Sequence, residues 1–71
     1  MSNFIEVFVI KISDGMSINR EVNTNMLIDV YDIKGVVENV IKINDFGQRL
    51  FYSCRENYFE IKEKIKETED E

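Results

Sequence analysis

From Phe4 to Ile12 the chain reads Phe-Ile-Glu-Val-Phe-Val-Ile-Lys-Ile, with only Glu6 and Lys11 polar. Successive side chains of an extended strand point to opposite faces. Phe4, Phe8, Ile10 and Ile12 therefore share one face, and Ile5, Val7 and Val9 the other. A strand that is apolar on both faces is normally covered on both. Ser13-Asp14-Gly15 ends it as a turn, where glycine supplies the positive φ of a tight reversal. The same alternation predicts further short strands over 17–22, 26–33, 36–43 and 48–55. Asn23-Thr24-Asn25, Lys34-Gly35 and Asn44-Asp45-Phe46-Gly47 punctuate them, because short polar side chains bond locally to the backbone. In the last strand Leu50, Tyr52 and Cys54 oppose Arg49, Phe51 and Ser53.

The period then changes. Tyr58, Ile61 and Ile65 recur at helical spacing, with Glu60 and Lys64 as an i,i+4 pair. Two capping signatures compete, Ser53-x-x-Glu56 and Asn57-x-x-Glu60; strand alternation continuing through Cys54 favours Asn57. The reading is one α+β domain over 1–71: a small antiparallel β-meander of four or five strands (about 4–55) and one C-terminal α-helix (about 58–67). An acidic tail, 68–71, is expected to fray, since negative charge opposes the dipole at a helix C-terminus.

Coverage of the sheet bears on partners. One helix covers one face; if it takes Phe4, Phe8 and Ile10, then Ile5, Val7 and Val9 need another cover. A second copy, giving a homodimer, is the simplest, and closure of the sheet into a small barrel is the alternative.

Composition supports strands, because 17 of 31 apolar residues are valine or isoleucine and alanine is absent. No apolar run exceeds four residues, so no membrane span is expected, and Met1-Ser2-Asn3 shows no signal-peptide start. A single cysteine fits a reducing, cytoplasmic setting. The abundance of isoleucine and asparagine, with no proline, suggests an AT-rich genome of the kind found in low-GC bacteria and their phages. With 9 basic and 14 acidic side chains the net charge is −5, which argues against direct nucleic-acid binding.

Candidate chemistry is sparse. There is no histidine, and neither a cofactor nor a metal site is expected. Asp14-Gly15 and Asp45-Phe46-Gly47 lack the ligand ladder of a calcium loop and read as turns. Cys54 alternates with Leu50 and Tyr52 and reads as a small buried hydrophobe rather than a nucleophile. The chain is thus expected to be no enzyme. Phe46 in a turn and Phe59, about 100° from the helix stripe, are candidate contact residues, alongside the Ile5, Val7 and Val9 face.

The passage from an Asp-Gly turn through Ile18-Asn19 to Glu56-Asn57 and the Ile61-to-Ile65 helix resembles the small flagellar and swarming-motility proteins. That resemblance implies a β-meander leading into one terminal helix. No residue independently carries the motility role, so only the architecture is taken from it.

The leading functional expectation is a self-associating protein-interaction module, an accessory protein of a phage or mobile element that binds an unidentified protein partner. The alternative is an inhibitor that mimics nucleic acid, of the anti-restriction or anti-CRISPR type. Its feature would be an acidic helix ridge of Glu56, Glu60, Glu63 and Glu67, extended by Glu71, opposite the apolar stripe.

Overall fold

The computed structural model describes residues 3–69. Along these run β1 (Phe4–Ser13), β2 (Asn19–Asp29), a 3-10 turn (Val30–Asp32), β3 (Ile33–Val37), β4 (Val40–Asp45), β5 (Gln48–Cys54) and α1 (Tyr58–Glu69). All five strands form one antiparallel sheet in the order β2-β1-β5-β4-β3. The fold is of the expected α+β class, five antiparallel strands in one sheet with a C-terminal helix, but its strand order is not that of a simple meander. The first strand also pairs with the last, whereas the consecutive strands β2 and β3 do not pair.

Strand number agrees with the sequence reading, but three boundaries differ. The expected strands over 17–22 and 26–33 are one strand, β2, because Asn23 takes φ 47° as an extra, bulged residue and the ladder resumes beyond it. Asparagine enters the left-handed region more readily than most residues. β2 stops at Asp29, whose carboxylate accepts the Tyr31 N–H at 3.0 Å and starts the 3-10 turn. The expected strand over 36–43 is folded in two at Glu38-Asn39. There Asn39 Nδ2 donates to the Cys54 carbonyl at 2.9 Å, and the Cys54 N–H donates to the Asn39 carbonyl at 2.8 Å. Two bonds to β5 reward a reversal that alternation alone does not reveal.

The registers show how the sheet curls. β1 pairs with β2 along its whole length, from Phe4↔Asp29 to Ser13↔Asn19, but with β5 only from Val9 to Ser13. The N-terminal half of the β1–β2 ribbon therefore projects beyond β5. Ile33 starts β3 level with Ile43 and Leu50, toward the other end of the sheet. On a flat sheet Asp29 and Ile33 would lie roughly 30 Å apart along the strands alone. Four residues of chain reach about 15 Å at most. The ribbon must fold back over β3, β4 and β5, and it bends where register breaks, between Val9 and Lys11. Bulges bend and over-twist a strand in this way.

That bulge also changes which residues face inward. Ile5, Val7 and Val9 are buried, and after the extra residue the inward position passes to Ile12. They meet Ile28 from β2, Ile41 and Ile43 from β4, Cys54 from β5 and Ile61 from α1. The covered face is therefore the reverse of the expected one. Ile5, Val7 and Val9 are the core of a single chain and available to no docking partner. The opposite face carries Phe4, 49% exposed, with Ile10 also exposed and Phe8 half-buried. The cover assigned to a second copy is supplied by the folded-back sheet and by α1, which packs against β1 and β3.

The helix starts as its sequence dictates. Asn57 Oδ1 accepts the Glu60 N–H at 2.9 Å, and Glu60 Oε1 accepts the Asn57 N–H at 3.2 Å, a reciprocal capping box. Ile61 is fully buried and Ile65 packs on the core, while Tyr58 stays at the margin, exposed. The helix runs past the expected end at residue 67 to Glu69, with the Thr68 hydroxyl donating to the Ile65 carbonyl at 2.7 Å. Asp70 and Glu71 of the expected frayed tail, like Met1 and Ser2, lie outside the described residues.

Ile61 is the helix's deepest contact. Ile61→Ala should destabilise the protein by about 3 kcal/mol through lost burial and a residual cavity. Leu27→Ser, on the open face, should change stability by no more than about 0.5 kcal/mol. Urea unfolding followed by circular dichroism measures both.

Candidate interaction site

Phe46 caps the β4–β5 hairpin. Its two-residue turn has both central residues in the left-handed region, Phe46 at φ 51° and Gly47 at φ 82°. This geometry matches the twist of the flanking strands and favours Asn-Gly. Glycine occupies the second position at no cost, but a phenylalanine in the first is strained by about 1–2 kcal/mol. The ring gains nothing in return within the chain, because Phe46 is fully exposed. Phe59, in the first turn of α1, is 79% exposed and stacks edge-to-face on Tyr58, with centroids 5.6 Å apart. Phe46 precedes β5 and Phe59 follows it, so the two rings belong to opposite ends of that strand rather than to one patch.

The acidic ridge is shorter than its spacing implies. Glu56 stands before the helix, and its carboxylate accepts the Phe8 N–H with Oε1 at 3.1 Å and Oε2 at 3.2 Å. Next to it the Arg55 N–H donates to the Phe8 carbonyl at 2.9 Å, and the Arg55 guanidinium lies 4.0 Å from the Phe8 ring centroid. The β5–α1 junction thus clamps β1 just where β5 stops pairing with it. Glu60 is engaged in the capping box, so only Glu63 and Glu67 project from the helix unbonded among the described residues. Glu71 lies outside the described residues.

Cys54 is buried, and its thiol is pushed up to about 11, first by burial and then by the neighbouring Glu56 charge. A neutral, enclosed thiol is a poor nucleophile. Burial, with the charges of Asp45 and Asp32 behind it, also raises the Tyr52 phenol. The Asp14 carboxylate accepts the N–H groups of Met16 at 2.8 Å and Ile18 at 2.9 Å. These bonds hold it below the usual carboxylate range and give it the turn role expected for Asp14-Gly15.

One surface was not anticipated. Lys34 on β3, Lys42 on β4 and Arg49 on β5 line a shallow concavity of about 560 Å³, together with Asn44, Gly47 and Phe51. Lys42 lies directly across from Phe51 and Asn44 directly across from Arg49, so these four side chains share one face. The signal was present in the alternation of Arg49, Phe51 and Ser53 against Leu50, Tyr52 and Cys54. Only the pairing of β4 with β5, however, brings Lys42 alongside. No family model, curated protein or solved structure matches the chain, and none bears on the resemblance to the swarming-motility proteins.

Two measurements probe the junction and the thiol. Glu56→Ala, which strands the Phe8 amide, should cost about 1–3 kcal/mol, and Glu56→Gln, which keeps an acceptor, should cost less. The Cys54 thiol ionises near 9.0 when unperturbed and at about 11 in the fold. Its stabilising contribution is therefore complete below pH 9 and is lost as pH rises toward 11. Ellman's reagent should label Cys54 only at the rate of unfolding, and that rate should climb across this window.

Proposed function

We propose that the chain is a non-enzymatic protein-interaction module whose docking point is the tip of the β4–β5 hairpin. The observation that carries this reading is Phe46, a large apolar side chain held fully exposed in a backbone conformation that disfavours it. Strain of this kind persists where it serves a site, and exposed aromatic anchors are typical of binding hot spots. The hairpin base is rigid, since β4 and β5 are paired without a break from Val40↔Ser53 to Asp45↔Gln48. The backbone that carries the ring is thus presented from a regular hairpin, and an aromatic side chain has only two χ angles to order on docking. The compositional signs of an AT-rich genome support an accessory role in a phage or mobile element.

Phe46→Asn separates folding from docking. The substitution installs Asn-Gly in the turn and should raise stability by about 1 kcal/mol, seen as a higher melting temperature. It should at the same time abolish partner binding. A photo-crosslinking residue at position 46 should give a discrete adduct in extracts of the native host, and the same residue at position 21 should not. Equal labelling from both positions would count against the tip as the docking point. Light scattering distinguishes a second copy from a foreign protein as partner: self-association lost in Phe46→Asn identifies the chain itself.

A further inference from the structure

The net charge of −5 hides a local excess of the other sign. Lys42 and Arg49 share the outer face of β4 and β5, Lys34, the inserted residue of neighbouring β3, reaches the same concavity, and no carboxylate lines it. All three are exposed, and among the described residues none has an ion pair or side-chain hydrogen bond. Like charges placed side by side without partners repel one another, so the face is complementary to an anion. Its shape narrows the choice. Lys42 and Arg49 sit on the diagonal of a strand pair, where neighbouring residues are about 7–8 Å apart. The cations therefore form a track across the strands, not a cluster converging on one point. A track suits charges distributed along a chain better than a single phosphate group.

Phe51 decides between polyanions. It sits on the same face, directly opposite Lys42, half-buried so that its ring is held, with Gly15 against one edge. A Cβ at Gly15 would come within 3.2 Å of the Phe51 ring, so the glycine lets the ring settle beside the β1–β2 turn. An acidic peptide uses the ring only where an apolar side chain falls beside it, whereas every nucleotide carries a π-face. A single-stranded nucleic acid suits both features, because its backbone follows the cations while an unstacked base lies on the ring. We propose that the outer face of β3, β4 and β5 binds a short single-stranded segment of nucleic acid through Lys34, Lys42, Arg49 and Phe51. This goes beyond the protein-docking reading and does not rest on it.

The test is fluorescence anisotropy with a labelled oligothymidylate of about a dozen nucleotides. The wild-type chain should bind saturably at low salt, with a log–log salt slope of about −2 for three neutralised phosphates. The double reversal Lys42→Glu with Arg49→Glu should weaken binding at least about tenfold. Lys62→Glu with Lys66→Glu makes the same change in net charge on the helix and should leave binding within about twofold. Phe51→Leu, with its fold verified by circular dichroism, should lose about tenfold from missing stacking. Absence of saturable binding would overturn the proposal, as would equal losses from the two double reversals. Competition by polyglutamate as strong as by unlabelled oligonucleotide would also overturn it, in favour of an acidic peptide. Equal affinity for a duplex would remove the stacking role of Phe51 and with it the single-strand assignment.

Discussion

A two-stranded ribbon that folds back over its own sheet has to break register somewhere, and here it does so at the middle of β1 and at Asn23 of β2. Everything inside the molecule follows from that bend. It carries Ile5 and Val7 over Ile41 and Ile43, and it brings the end of β2 close enough for one 3-10 turn to reach β3. It also leaves part of β1 without β5 beside it, and the Arg55-Glu56 clamp on Phe8 begins where that pairing ends. A flat version of the same strands would expose an apolar face too large for one helix to cover.

The elements were legible where a local pattern and the tertiary structure agree. The Asn57-x-x-Glu60 capping box needs only residues close in sequence, and it forms as read. The Asp14 turn is local in the same sense. Alternation correctly sorted Ile5, Val7 and Val9 from Phe4, Phe8 and Ile10, but it carries no sign. Either set can face the core, and because one helix covers only one face, Ile5, Val7 and Val9 were left to a partner, whereas they are buried within the chain. The sign is set by closure: β-branched side chains fill the narrow space between two layers, while the larger rings remain outside near Arg55 and solvent. Glu38-Asn39 was hidden for a related reason, since its reversal is fixed by bonds to Cys54, fifteen residues along the chain.

The candidate surfaces divide along the same line. Phe46 was visible because an aromatic in a turn is anomalous within a few residues of sequence. Lys42 and Arg49 were not, because each reads alone as an ordinary outward residue on its own strand. Their juxtaposition belongs to the sheet. Net charge is silent on this juxtaposition, because it sums over every face of the molecule. The helix mixes Glu63 and Glu67 with Lys62, Lys64 and Lys66, whereas the concavity across β3, β4 and β5 is lined by cations with no carboxylate among its residues.

Closing the sheet through β1 and β5 leaves β2 and β3 as its free edges. These are also strands with inserted residues, around Asn23 in β2 and at Lys34 in β3. A foreign strand adds to an edge only where peptide groups form an even row, and a bulge displaces one group from that row. Lys34 further sets a charge on the shorter edge. The inserted residues that bend the sheet also deny an added strand a straight template, so one device shapes the core and interrupts the edges.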